Sequence, residues 1–212
     1  MATKKCIHVV ATPDYQPEMC SLTIPNLKAY ADKIKADFNL IQDRAKPSWP
    51  VVCEKQRIYE IGRSYDWNFS IDADILIHPS TADITLRHPP TKVGNWWYYD
   101  IAKAFDISQD KYFRRDGRHY GIVESFVVTT RHTHDLWEPL PGAFEDYAPM
   151  FEGANYWRTG EYCLSRNMAK YGLEIMGIFD EGDDFFHVNT TSKEVQRPEE
   201  IAFATLRNWG LM

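Results

Sequence analysis

The stretch Trp67-Asn68-Phe69-Ser70-Ile71-Asp72-Ala73-Asp74-Ile75-Leu76-Ile77 decides the fold. Its first five residues read as a β-strand, rich in aromatic and apolar side chains. The strand ends in Asp72-Ala73-Asp74, and an apolar triplet follows. Upstream, Lys5–Ala11 is a short apolar run closed by the turn signal Thr12-Pro13. A helix opened by Pro25 comes next, with Leu27, Tyr30, Ala31, Ile34 and Phe38 recurring at helical spacing. Phe38–Ile41 reads as a second strand. Pro47 and Pro50 interrupt the chain, and a second helix runs from Val51 to Tyr65 with Val51, Ile58, Ile61 and Tyr65 as its buried stripe. Strand–helix–strand–helix–strand predicts an α/β fold whose parallel sheet is covered on both faces. Open sheets of this kind bind ligands beyond the carboxyl ends of their strands, which is where the acid pair falls.

The second half is less regular. Gly121–Val128 reads as a strand, and a helix from Glu161 to Tyr171 stops at Gly172, a C-cap residue. Glu174–Ile178 and Phe185–Val188 are short strands, and Pro198 with Glu199 and Glu200 opens a last helix. No linker, repeat or low-complexity block divides the chain. One domain over residues 1–212 is expected, with a nucleotide-binding half over 1–85 and an acceptor and sugar half over 86–212.

Composition narrows the function classes. Lys and Arg number 24 against 30 Asp and Glu, a net charge of −6, which argues against a nucleic-acid partner. Apolar residues at 44 % suffice for a single large core. No apolar run approaches the roughly 20 residues needed to span a bilayer. The N-terminal apolar stretch is too short for a signal peptide, so a cytoplasmic location is expected. Cys6, Cys20, Cys53 and Cys163 form no Cys-x-x-Cys pair and read as reduced, mostly buried thiols.

Two carboxylates two residues apart at a strand end can converge on one hard cation, and Mg²⁺ or Mn²⁺ completes its shell with phosphate oxygens. Asp-x-Asp alone is equally a solvated turn. The longer context is more specific. From Glu54 through Lys55, Arg57, Tyr65-Asp66 and the strand to Asp72-Ala73-Asp74, then Ile75-Leu76-Ile77, Pro79 and Asp83-Ile84, the chain resembles the central segment of GT-A-fold glycosyltransferases. His187-Val188-Asn189-Thr190-Thr191-Ser192-Lys193 is similar to the His-x-x-Gly-x-x-Lys element of retaining members, with Thr190 where the family has Gly.

The resemblance implies a GT-A, Rossmann-like fold with a mixed, mainly parallel sheet, and a function: metal-dependent transfer of a sugar from a UDP-sugar to a glycan hydroxyl, with retention. It implies Mn²⁺ or Mg²⁺ held by Asp72, Asp74 and His187, and Lys193 on the donor's diphosphate. Val9-Val10-Ala11-Thr12-Pro13-Asp14-Tyr15 resembles the edge that holds base and ribose, so Thr12 and Tyr15 are candidates there. Lys55, seventeen residues before Asp72, and its rival Arg57 are candidates to reach the nucleotide, as are Ile71 and Ala73 beside the acid pair. Glu161 resembles the acid set beside the reacting sugar. A helix N-terminus alone also accounts for an acid there. Glu124, Asp180, Asp183 and Asp184 are further acids within reach.

Within the family the likeness is greatest to viral members that build capsid glycans. This implies a glucose or 6-deoxyhexose donor such as rhamnose, and further domains of a longer polypeptide. It also implies host cytoplasm as the location. Trp96-Trp97-Tyr98-Tyr99 fits a sugar-stacking row or core, with Trp157 and His119 as weaker acceptor candidates. His132-x-His134-Asp135 reads as a polar turn rather than a zinc site. Two rivals stay open: a nucleotidyltransferase or nucleotide-sugar hydrolase, and a non-catalytic glycan-binding module.

Overall fold

The computed structural model describes residues 3–95, 122–151, 156, 158–178, 184–188 and 197–212. A six-stranded sheet is built from β1 (Lys5–Val10), β2 (Asp37–Ile41), β3 (Trp67–Ile71), β5 (Lys92–Asn95), β6 (Phe126–Thr130) and β7 (Glu174–Gly177), in the order β2-β1-β3-β6-β5-β7. β1 runs parallel to both β2 and β3, while β6 is antiparallel to β3 and β5. β5 and β7 are parallel. The sheet is therefore mixed and mainly parallel, with β6 the reversed strand. A separate two-stranded antiparallel sheet pairs β4 (Ile75–Ile77) with β8 (Phe185–His187).

Four α-helices accompany the strands among the described residues: α1 (Pro17–Ile34), α2 (Ile58–Ile61), α3 (Arg158–Tyr171) and α4 (Pro198–Asn208). Strand alternation sorts side chains to two faces. Ile7, Val9, Phe69, Ile71, Phe126 and Val128 share one core with Leu27, Ala31 and Ile34 of α1. Val127 turns to the other face, against Ile58, Trp137, Leu164 and Met168. The central strands are thus buried on both sides, as a mainly parallel sheet requires.

The chain leaves β1 toward β2 and returns to β3 on the opposite side of β1. This reversal opens a crevice at the carboxyl ends of β1 and β3. Thr12 and Tyr15 follow one strand end and Asp72 the other.

Several boundaries differ from the sequence expectation. α1 opens at Pro17 and carries Pro25 inside it. Met19 and Thr23, in its first two turns, are fully buried, and that packing carries the helix through the proline. The expected helix over 51–65 is instead a 3₁₀ stretch (Val51–Arg57), the single turn α2, and a second 3₁₀ turn (Gly62–Ser64). Here Glu54, Lys55 and Gln56 are all buried, and Glu54 accepts hydrogen bonds from the main-chain N–H groups of Ala45 and Lys46 at 3.1 Å. Contacts on several sides override the single apolar stripe of a regular helix. β6 starts five residues later than expected, at Phe126. Ahead of it the Asn95 side chain donates to Val123 O (2.6 Å), and at the strand's first residue to Phe126 O (2.8 Å), so a side chain rather than a neighbouring strand holds residue 123. α3 starts at Arg158 and ends as expected at Gly172, whose φ of 60° is the left-handed C-cap conformation.

Candidate metal and donor site

Asp72 sits where β3 ends. Its main-chain N–H donates to Ser125 O at 2.8 Å, and Ile75 N donates back to Asp72 O at 3.2 Å, so the chain turns tightly into β4. Helix α1 fixes that turn from the side. Thr23 Oγ1 donates to Ala73 O at 2.5 Å, and the Asn26 side chain brackets Ile77, donating to its O at 3.0 Å and accepting from its N–H at 2.7 Å. β8 arrives from the other side, with His187 in register with Ile75 and Val188 N donating to Asp74 O at 2.9 Å.

The result is a cluster. Ligand-capable atoms of Asp72, Asp74 and His187 all lie within 4.8 Å of one another. His187 Nε2 stands 3.1 Å from Asp74 Oδ2, and Tyr15 OH lies 3.5 Å from the same oxygen. Burial works against a charged His187, but the hydrogen bond to Asp74 and the charge of both aspartates outweigh it and raise its pKa. Two carboxylates and an imidazole converging on one point fit a divalent cation of the Mn²⁺ or Mg²⁺ kind.

Lys55 supplies the counter-charge. It is 5 % exposed, ion-paired to Asp72, 3.3 Å from Glu124 O and 3.8 Å from Glu124 Oε2. Burial disfavours its charge, yet Asp72 and Glu124 overcome that and hold its pKa above the ordinary lysine value. Burial also raises the Glu124 pKa, up to about 8 against the pull of Lys55. Beside this pair opens a small cleft of about 90 Å³ lined by Val10, Thr12, Tyr15, Val51, Val52, Lys55, Asp72 and Ala73.

The structure brings Asp72, Asp74 and His187 into one cluster, and Thr12, Tyr15, Lys55 and Ala73 line the cleft beside it. Ile71 is fully buried and belongs to the core beneath the cleft. Arg57 turns away, pairing with Asp43 at 3.0 Å and Glu54 at 3.6 Å. Glu161 is 3 % exposed and pairs with Arg158 at 3.2 Å, in the first turn of α3. Lys193, the Trp96–Tyr99 row, His119, Trp157, Asp180 and Asp183 lie outside the described residues. His134 packs flat on Tyr59, with an interplanar angle of 13°. Asp184 pairs with Arg87 at 3.1 Å.

Val51 and Val52 were not expected in the cleft wall. They sit four and three residues before Lys55, in the 3₁₀ stretch that carries all three. Glu124 was one reserve acid among four. Its contact with Lys55 spans 69 residues, and no local pattern points to it.

No protein-family model matches the chain, and no curated protein sequence matches it. Solved structures do. A glycosyltransferase involved in the glycosylation of the major capsid of the chlorovirus PBCV-1 matches with a TM-score of 0.53 and 11 % identity, over 99 % of this chain and 100 % of that one. The galactosyltransferase LgtC, in complex with donor and acceptor sugar analogues, matches at TM-score 0.48 and 10 % identity, over 96 % and 99 %. A mutant of the Drosophila galactosyltransferase 7, in complex with manganese, UDP-Gal and xylobiose, matches at TM-score 0.43 and 12 % identity, over 92 % and 76 %. The likeness to the chlorovirus protein, joined to the mixed and mainly parallel sheet, identifies the fold: this chain is a single domain of the GT-A type.

Proposed function

We propose that the chain is a metal-dependent glycosyltransferase that moves a sugar from a UDP-sugar to a hydroxyl of a glycan acceptor, with retention of anomeric configuration. The observation that carries this reading is the convergence of Asp72, Asp74 and His187 beside a cleft walled by Thr12, Tyr15, Val51, Val52 and Lys55. In this reading Thr12 and Tyr15 hold the base and ribose, and Asp72, Asp74 and His187 hold Mn²⁺ or Mg²⁺. The cation supplies positive charge where the departing diphosphate gathers negative charge. Lys55 and Lys193 add to that charge from the protein side. The acceptor oxygen bonds to C1 of the sugar, the bond from C1 to the diphosphate breaks, and the hydroxyl proton passes to the departing diphosphate. That front-face route needs no carboxylate nucleophile. Glu161 is the acid proposed beside the reacting sugar, with glucose or a 6-deoxyhexose such as rhamnose as the donor sugar.

Calorimetric titration tests the donor site. UDP, GDP and ADP are titrated with and without Mn²⁺ into wild type and Asp74→Ala. The expected result is Mn²⁺-dependent binding selective for UDP, lost in the variant. If none of the three binds with metal present, the reading fails and a glycan-binding module replaces it. Once a donor is found, the anomeric proton coupling of the product reports retention directly.

A further inference from the structure

Gly160 lies in the first turn of α3 and faces Glu124. A Cβ built on Gly160 would stand 1.8 Å from Glu124 Oε2 and 2.4 Å from its Cδ. The carboxyl group therefore fills the space that any other side chain at position 160 would claim. Glu124 is 6 % exposed, so its carboxyl sits inside the fold rather than in solvent. Its other side turns to Lys55, whose ammonium has three protons to place. One side of that ammonium meets Asp72. The other meets Glu124, through the main-chain oxygen at 3.3 Å and the carboxyl at 3.8 Å.

Without the Glu124 carboxyl seated in this way, the ammonium would lose one of its two contacts opposite Asp72 and keep only the main-chain oxygen. A long lysine side chain with one partner has several rotamers that satisfy it. With contacts on both sides it has far fewer, and its charge is fixed relative to the metal ligands and the cleft. The main-chain oxygen of residue 124 lies between two held neighbours, with Val123 O accepting from Asn95 at 2.6 Å and Ser125 O accepting from Asp72 N at 2.8 Å, and the bare Cα of Gly160 seats the carboxyl that completes the set.

We propose that Glu124 and Gly160 form a matched pair that positions Lys55: the carboxyl, seated on Gly160, confines the ammonium from the side opposite Asp72 and so fixes it beside the donor cleft. This rests on the donor site proposed above. Glu124 is a positioning residue here and does not touch the donor. Its shape is what the pairing uses, so a side chain of the same shape serves.

The test is UDP affinity in saturating Mn²⁺, measured with melting temperature on the same samples. Gly160→Ala and Glu124→Ala are each expected to weaken UDP binding about tenfold, the cost typical of losing a residue that orients a ligand-contacting group. Glu124→Gln is expected to recover most of what Glu124→Ala loses. The double variant Gly160→Ala, Glu124→Ala is expected to bind no worse than Glu124→Ala alone, because the clash is gone; such non-additivity marks residues in contact. Should Gly160→Ala fail to fold, the Glu124 variants carry the test. Variants with lowered melting temperature and wild-type UDP affinity overturn the positioning role and leave the donor site standing. A wild type that binds no UDP with Mn²⁺ removes the donor site itself.

Discussion

His8 is the residue whose chemistry reaches furthest beyond its own contacts. It is 2 % exposed on β1, on the face opposite the α1 core. Nε2 lies 2.9 Å from Asn68 Oδ1, and Asn39 Nδ2 lies 3.1 Å from Nδ1. Asn68 in turn donates to Gly62 O at 3.1 Å. With Asn39 donating, Nδ1 accepts and Nε2 carries the proton, which fits a neutral ring. Burial, opposed only in part by Asn68, lowers its pKa to about 4. Above the ordinary value of about 6.5 both folded and unfolded rings are neutral, and the buried ring adds nothing to the pH dependence. Below it the unfolded chain takes up a proton that the folded chain refuses. Stability is therefore lost as pH falls from about 6.5 toward 4, by up to roughly 3 kcal/mol. Urea unfolding at pH 7.0, 6.0 and 5.0 measures this. The fall over that window is expected to flatten in His8→Gln. An equal fall in both would show that other groups cause it.

At the scale of elements, helix α1 holds the acid turn in place. β4 has β8 on one edge, while Asn26 of α1 covers the other by pairing with both main-chain groups of Ile77. A side-chain amide thus stands in for a neighbouring strand. Asn26→Ala would leave a buried N–H and a buried carbonyl without that partner, at a cost of about 3 kcal/mol. Urea unfolding is expected to show that loss, and calorimetry a weaker UDP affinity, because β4 follows directly from Asp74. Unchanged values in both would mean that β8 alone fixes β4. None of this could be seen in the sequence. Asp72, Asp74 and the strand before them were legible, because a run of β-formers cut short by two acids marks a strand end. Pro25 misled, since a proline both opens helices and, where packing compensates, sits within them. Residues 51–65 misled for a related reason. Their apolar stripe has helical period, but buried Glu54 answers to the main chain of Ala45 and Lys46 just upstream, and Lys55 and Gln56 to Glu124 and Leu140 far along the chain. His187 was read from its local element, whereas Glu124 belongs to a contact that only the folded sheet creates.

At the scale of the whole molecule, the site draws on both ends of the chain. Asp72 closes a strand of the large sheet, Asp74 opens the small one, and His187 comes 113 residues after Asp74. The GT-A sheet order sets β1 and β3 side by side, which gives the cleft its two walls. The small sheet has a further consequence. It is only three residues long on each strand, so its cross-links, including Val188 N to Asp74 O and His78 N to Asp184 O, are few. Short two-stranded pairs of this size are weak by themselves. They open more often than the large sheet, and amide hydrogen exchange should be faster at Val188 and His78 than at Val9 and Phe69. A cation held by Asp72, Asp74 and His187 binds only the closed arrangement and so slows opening by mass action. Exchange mass spectrometry with and without Mn²⁺ should show protection concentrated in the peptides that carry β4 and β8. The ion would then act as a fastener, joining residues far apart in the chain at the weakest seam of the fold.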